Sequence, residues 1–160
     1  MRNSIEILLV EDDPNDLELT RHVLMQERIC NVIHVARDGE EALDLLFCRG
    51  AFSGRQPAQP KLILMDLNLP KVDGLEVLEQ IKRDPVLRSV PVVILTSSRQ
   101  ESDRVHGYQL GVNSYIQKPV DFDQFRSTIK SLGYYWLVVN EAPPLQYCER
   151  ERHHDTFTRA

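Results

Sequence analysis

The stretch that decides the fold of this chain is Leu62-Ile63-Leu64-Met65-Asp66-Leu67-Asn68-Leu69-Pro70. In it, an unbroken run of four apolar residues ends in one aspartate, and turn-forming residues follow. A short apolar run with such borders is typical of a strand that is buried on both faces of a parallel sheet. Asp66 would then lie at the carboxyl end of the strand, where open α/β sheets bind their ligands. An aspartate there is a metal ligand, a nucleophile or simply a turn former.

The composition of the 160 residues is that of an ordinary globular domain, with 42% hydrophobic and 27% charged residues. The net charge of −5 argues against a protein that coats nucleic acid, which needs a basic face. No apolar run approaches the about 18 residues of a membrane span, and the N-terminus has no signal-peptide core. The cysteines, Cys30, Cys48 and Cys148, lack metal-ligand spacing and suit reduced thiols in a cytoplasmic protein.

Strand and helix patterns alternate five times along the chain. Strands are predicted at 5–10, 31–35, 62–65, 90–95 and 114–117, and helices from residue 14 and at 40–47, 74–83, 103–110 and 122–139. Residues 48–60 are polar and rich in glycine and proline, which predicts a loop. The alternation requires right-handed crossovers, so it predicts a doubly wound parallel sheet with helices on both faces.

Polar side chains follow four of the predicted strands: Glu11 and Asp12, Asp66, Thr96 and Ser97, and Lys118. The carboxyl ends of parallel strands meet at one edge, so we expect these side chains to share a crevice. Three carboxylates and one ammonium group would give this crevice a net charge of −2, which a divalent cation would balance. Because hard oxygen ligands suit magnesium, the sequence predicts a Mg²⁺ site whose remaining positions water fills.

A magnesium ion held by few carboxylates usually serves a phosphate group. Asp66 is then the plausible nucleophile, and attack by its carboxylate on phosphorus would give an aspartyl phosphate. Thr96 supplies a hydroxyl donor to the bound group, and Lys118 supplies a positive charge. Ser97 is small enough to leave room for the incoming phosphoryl group.

Four short motifs, in order and at fitting spacing, resemble those of one known family: Glu11-Asp12-Asp13, Asp66 with Pro70 and Gly74, Thr96-Ser97, and Lys118-Pro119. Over about residues 5–139 the chain resembles the receiver domain of two-component response regulators. The resemblance implies a flavodoxin-like fold of five βα units with strand order 2-1-3-4-5. It also implies a signalling protein rather than an enzyme, one that catalyses its own phosphorylation and dephosphorylation and receives its phosphoryl group from a sensor histidine kinase.

The resemblance also implies a role for each site residue. Asp66 matches the phosphoacceptor, Asp12 a direct metal ligand and Glu11 a ligand through water. Asn68 matches the position that lends a backbone carbonyl to Mg²⁺, for which Mn²⁺ can substitute. Thr96 and Lys118 match the switch hydroxyl and the phosphoryl-binding lysine, Tyr115 an aromatic group that turns inward on activation, and Lys118-Pro119 a cis peptide bond. Asp13 lies beyond the acidic pair and is expected to cap the first helix.

A narrower resemblance is to the receiver-only regulators that serve phytochrome-type histidine kinases. It depends on the long final helix, on the insertion at 48–60, and on residues 35–43 and 113–118. We therefore expect a receiver domain over 1–140, an irregular tail over 141–160, and no DNA-binding output domain.

The final helix has more apolar residues than one face needs. Phe122, Phe125, Ile129, Leu132 and Trp136 suffice to cover the sheet. Tyr135, Val138 and Val139 would then point elsewhere, and exposed apolar patches of this kind usually mark an interface. The pattern predicts a homodimer formed through the last helix and the fifth strand.

Four other interpretations stay open. The protein could be a phosphate sink or phosphorelay intermediate, or a docking module that is indifferent to phosphate. A phosphatase of the haloacid dehalogenase type also uses a strand-end aspartate and magnesium, but it needs an acid where this chain has Asn68. A flavin-binding module has the same fold, but the Glu11-Asp12-Asp13 run would repel the flavin phosphate.

Overall fold

In the computed structural model, which describes residues 6–29, 32–54, 59–119 and 121–143, five parallel strands form one sheet. They are β1 (Ile7–Val10), β2 (Ile33–Ala36), β3 (Leu62–Met65), β4 (Val92–Thr96) and β5 (Ser114–Gln117). Their order across the sheet is β2-β1-β3-β4-β5. The predicted doubly wound fold and its strand order are therefore confirmed.

Five helices connect or follow the strands: α1 (Pro14–Gln26), α2 (Gly39–Phe47), α3 (Gly74–Arg83), α4 (Glu101–Gln109) and α5 (Phe122–Tyr134). Two single 3-10 turns, Gly50–Phe52 and Leu87–Ser89, lie where the sequence shows no periodicity. The first of them falls inside the loop predicted at 48–60. No helix of the described ranges is both long and apolar enough to cross a lipid bilayer.

Aspartates cap the N-termini of four helices. Asp13, Asp38, Asp73 and Asp121 each have extended backbone geometry, and each side chain accepts a hydrogen bond from a backbone N–H of the first turn. Such caps satisfy donors that have no partner inside the helix. The capping role predicted for Asp13 is confirmed, since its carboxylate accepts from Asn15 at 2.8 Å and from Asp16 at 3.1 Å.

Two separate apolar layers cover the two faces of the sheet. Alternate residues of each strand point to opposite faces, so Leu8 and Ile63 pack with α2 and α3, whereas Ile7 and Leu64 pack with α1 and α5. All four residues of β3 are buried, as expected for the central strand. The three central strands are buried throughout, which leaves the edge at the carboxyl ends of the strands as the place for polar chemistry.

The last helix differs from the prediction in two respects. The backbone is α-helical only to Tyr134 and continues as a π-helical turn, Tyr135–Val139, closed by a 2.7 Å bond from Asn140 N to the Tyr135 carbonyl. Phe122 was expected to cover the sheet, but it is 59% exposed because it is the first helical residue, and Phe125 is the first to reach the core.

The exposed residues of the π-helical turn are those predicted to point away from the sheet. Tyr135, Val138 and Val139 are each at least half exposed, at 50%, 57% and 54%. Trp136 and Leu137 between them pack, partly buried, against the layer that α1 and α5 cover. The predicted tail at 141–160 lies outside the described residues from position 144 onward.

Candidate functional site

The register of the sheet places the acidic residues side by side. Val10 pairs with Met65 at the ends of β1 and β3, so Glu11 and Asp66 leave neighbouring strands at the same level. The Asp66 amide donates to the Val10 carbonyl at 3.0 Å, which extends the ladder by one residue. At the other side of the site, the Lys118 amide donates to the Thr96 carbonyl at 2.7 Å. The ends of four strands thus hold the predicted site residues.

The side chain of Lys118 lies at the centre of this site. Its Nζ is 2.8 Å from Oδ2 of Asp66, 2.8 Å from Oε2 of Glu11 and 2.8 Å from Oδ2 of Asp16. The side chains of Lys118, Glu11 and Asp66 are only 9%, 6% and 7% exposed. The ammonium group therefore neutralises carboxylates that could not otherwise lie so close together in a dry environment.

Asp16 is the site residue that the sequence analysis missed. It lies in the first turn of α1, and its side chain is 34% exposed. An acid at that position is commonly explained by the favourable charge of a helix N-terminus. Its position in the first turn of α1, three residues after the capping Asp13, was the available signal.

Burial and charge shift the ionisation of the two partners in opposite ways. Burial raises the pKa of Glu11 from 4.5 to about 7, because the hydrogen bond and charge of Lys118 offset only part of the desolvation and the Asp66 charge adds to it. For Lys118, burial lowers the pKa, but hydrogen bonds to Asp16, Asp66 and Glu11 outweigh burial and raise it above its ordinary value. Lys118 is therefore charged at any physiological pH, whereas Glu11 titrates near neutrality.

Three carboxylates of the site can hold a cation. Glu11, Asp12 and Asp66 each offer one oxygen, and these oxygens lie within 4.8 Å of one another. Asp12 is exposed and the other two residues are buried, so the cluster is open to solvent on one side. Carboxylate oxygens with room for water suit Mg²⁺ or Mn²⁺. The donor set fits a divalent metal ion.

The loop after β3 holds the Asp66 carboxylate from its other side. The backbone N–H groups of Leu67 and Asn68 donate to Oδ1 at 2.6 Å and 3.3 Å, while Oδ2 faces Lys118. Gly74 packs against this loop so closely that a Cβ atom there would lie 2.5 Å from the Asp66 carbonyl oxygen. The position of Asp66 is therefore fixed by its own loop and by the start of α3.

A second set of polar side chains lies at the end of β4 and in the loop that follows it. Thr96 is fully buried at the end of the strand, and its hydroxyl accepts a 3.2 Å bond from the Ser98 amide. Ser97 is exposed. Ser98 donates to Asp103 at 2.6 Å, which ties the loop to α4. The structure thus places Thr96 and Ser97 at the carboxyl end of β4, next to β3, and adds Ser98 and Asp103 as the supports of their loop.

Tyr115 lies with its ring turned into the protein. The ring packs against the core on the α4 side of the sheet, next to Gly107, and the hydroxyl is buried without a hydrogen-bond partner among the described residues. Burial raises the pKa of Tyr115. The peptide bond after Lys118 is trans, so the implied cis bond at Pro119 is wrong. Both forms of an X–Pro bond are close in free energy, and the trans form is the ordinary one.

Comparison with known proteins identifies the family. The model of the response regulator receiver domain matches residues 7–130. The response regulator Rcp1 of Synechocystis is 40% identical over 137 residues, which cover 86% of this chain and 92% of that protein. A structure of its Mn²⁺-bound form aligns with a TM-score of 0.80 at 38% identity, over 86% of this chain and 98% of the other.

Two further structures belong to regulators named for phytochromes. The phosphorylated cyanobacterial phytochrome response regulator RcpA aligns with a TM-score of 0.81 at 39% identity, over 88% of this chain and 99% of the other. The bacteriophytochrome response regulator RtBRR aligns with a TM-score of 0.69 at 51% identity, over 92% and 90%. With the fold, the site and the family model in agreement, this chain belongs to the response regulator receiver family.

Proposed function

We propose that this protein is a response regulator that accepts a phosphoryl group on Asp66 and thereby switches a protein-interaction surface. The observation that carries the proposal is the contact of 2.8 Å between Lys118 Nζ and Asp66 Oδ2, next to two further acids that can share a metal ion with Asp66. A carboxylate that is held by an ammonium group at a metal-binding edge is suited to attack phosphorus.

The metal ion would be Mg²⁺, for which Mn²⁺ can substitute, and when bound it offsets the negative charge that develops in phosphoryl transfer. Asp12 and Asp66 would bind it directly, Glu11 through water, and Asn68 through its backbone carbonyl. The closeness of the three carboxylates supports this assignment.

The chain's own residues would guide the transfer. A carboxylate oxygen of Asp66 forms a bond to phosphorus, and the bond from phosphorus to the donor breaks, with its electron pair leaving on the donor. Lys118 balances charge on the phosphoryl oxygens, the Thr96 hydroxyl donates a hydrogen bond to them, and the exposed, small Ser97 leaves the approach open. In hydrolysis, the oxygen of a water molecule forms a bond to phosphorus, and the bond from phosphorus to Asp66 breaks with its electron pair left on the carboxylate. Inorganic phosphate leaves, and the proton of the water goes to phosphate or to solvent.

The conformational change on phosphorylation would begin at Thr96 and extend to Tyr115. Thr96 is bound to its loop through the Ser98 amide, so a Thr96 hydroxyl that turns to a phosphoryl group must give up that contact. The loop and α4 could then repack around Tyr115, whose inward hydroxyl lacks a hydrogen-bond partner in the described structure. Two arrangements of this region, biased by phosphorylation, would present different surfaces near β4 and β5.

We propose a phytochrome-type histidine kinase as the donor and the cytoplasm as the place of action. The names of RcpA and RtBRR, both linked to phytochromes, support the kinase class. We also propose that two copies associate through α5 and β5, since β5 is an edge strand and the π-helical turn beyond α5 exposes apolar side chains.

Phosphotransfer from a purified kinase tests the function. A phytochrome-type histidine kinase is first labelled on its histidine with radioactive ATP, and the regulator is then added with Mg²⁺. We expect rapid transfer of label to the parent protein and none to Asp66→Asn. Preferential transfer from an unrelated histidine kinase would contradict the proposed pairing, and transfer to Asp66→Asn would contradict the acceptor.

A further inference from the structure

Lys118 has no donor left for a phosphoryl group in the structure as it stands. An ammonium group has three N–H donors, and three carboxylates at 2.8 Å each take one. The side chain is only 9% exposed, so the group has little access to water. Any further acceptor must therefore displace one of the three carboxylates.

The three carboxylates differ in how easily Lys118 can release them. Glu11 and Asp66 are 6% and 7% exposed, and both belong to the candidate metal cluster. Asp16 is 34% exposed and lies outside that cluster. Because water can solvate a partly exposed carboxylate but not a buried one, release of Asp16 is the least costly of the three.

Asp16 is also anchored by its own backbone, so its carboxylate stays close enough to Lys118 to compete with another hydrogen-bond acceptor. Its backbone N–H donates to the Asp13 carboxylate, and its carbonyl accepts a 2.7 Å bond from the buried hydroxyl of Thr20. The first turn of a helix favours a negative charge. The carboxylate is therefore held within reach of Lys118 by α1, independently of the loop that carries Asp66.

We propose that Asp16 is a positioning residue that competes with the incoming phosphoryl group for Lys118 and so slows phosphorylation of Asp66. The inference rests on the proposed function. Loss of the Asp16 carboxylate would leave Lys118 held by Glu11 and Asp66, with one donor free for a phosphoryl oxygen. The charge of Asp16 acts in the same direction, since it repels an anionic donor at the mouth of the site.

The test compares phosphorylation rates of matched variants with acetyl phosphate and saturating Mg²⁺, followed by intact-protein mass spectrometry. Asp16→Asn keeps the shape of the side chain, and Asp16→Ala serves as a second variant. Glu18→Gln removes the same charge from an exposed position of the same helix. Asp16→Glu restores a carboxylate. Melting curves establish that each variant is folded.

We expect Asp16→Ala to be phosphorylated about twofold to fivefold faster than the parent, an effect of the size found for a partly exposed charged contact. Asp16→Asn should gain less, because its amide oxygen still accepts a hydrogen bond from Lys118. Glu18→Gln should match the parent, and Asp16→Glu should return close to it. The higher phosphorylation rate of the Asp16 variants should persist at high ionic strength, because salt screens a remote charge far more than a direct contact.

Three results would overturn the inference: equal or slower phosphorylation of Asp16→Ala, an increase in rate confined to low salt, or an equal increase in Glu18→Gln. Failure of the proposed function looks different, because the parent protein itself would then take up no phosphoryl group on Asp66.

Discussion

The Glu11 carboxyl group is buried beside Lys118 and Asp66, and burial raises its pKa from 4.5 to about 7. A protonated Glu11 is neutral and attracts a cation less, so metal binding must compete with a proton. We expect the Mg²⁺ affinity to fall about tenfold between about pH 8 and pH 6, as the ionised fraction of a group with this pKa does. Isothermal titration at several pH values measures the profile.

Glu11→Gln is the control for that profile, since it removes the titrating group and keeps the size of the side chain. Its Mg²⁺ affinity should be weaker at high pH and should change little over the same range. An equally steep profile in this variant would assign the titration to another residue.

At the residue scale, sequence reasoning found every site residue that follows a strand directly. Glu11, Asp66 and Lys118 were predicted to meet because the ends of parallel strands share an edge. Asp16 was missed because its contact with Lys118 joins the first turn of α1 to the end of β5, and the order of the strands alone does not predict that contact. The trans bond at Pro119 also differs from the family pattern, and a single sequence cannot decide between two isomers of similar free energy.

At the scale of elements, the start of α3 is fitted against the loop that follows β3. A Cβ atom on Gly74 would lie 2.5 Å from the Asp66 carbonyl oxygen and 2.7 Å from Leu67 Cα, and backbone cannot move aside cheaply. We expect Gly74→Ala to lower the free energy of unfolding by roughly 2 kcal/mol, as overpacking does, and to slow phosphorylation by displacing Asp66. Chemical denaturation and phosphorylation kinetics measure the two effects.

Gly107→Ala in α4 is the matched control. There a new Cβ would be no closer than 3.5 Å to its neighbours, and alanine favours a helix by about 1 kcal/mol over glycine. This variant should be as stable as the parent or more so. Equal destabilisation by both substitutions would show that the close approach at Gly74 is unimportant.

The elements themselves were predictable where they bury a regular apolar pattern. The bounds of β3, α3 and β5 agree with the prediction. The start of α4 was misplaced because only Gly107 of that helix is buried, so it has no apolar stripe to mark its limits. The 3-10 turns and the π-helical turn were missed because three to five residues are too few to show a period.

At the scale of the whole molecule, the proposed dimer depends on the surface formed by Tyr135, Val138 and Val139. A double substitution, Tyr135→Asp with Val139→Asp, places two charges where apolar contact is proposed, so we expect a monomer. Sedimentation equilibrium compares it with the parent. The control is Val105→Asp with Tyr108→Asp, which makes the same change at similarly exposed positions on α4.

The parent and the α4 variant should both sediment as dimers. A monomeric parent, or a dimer that survives the change at the π-helical turn, would contradict the proposed interface. Dissociation of the α4 variant alone would indicate that the dimer interface lies on α4 instead. The sequence could predict which side chains are exposed, because the core face of the last helix was already filled, but it could not supply the partner surface.

The most direct measurement of the central claim is the chemical location of the phosphoryl group. The protein is treated with acetyl phosphate and Mg²⁺, the acyl phosphate is trapped by reduction, and tandem mass spectrometry locates the modified residue. The account predicts one phosphoryl group on Asp66, none in Asp66→Ala, and none when a chelator removes the metal. A modification that persists in Asp66→Ala would contradict it.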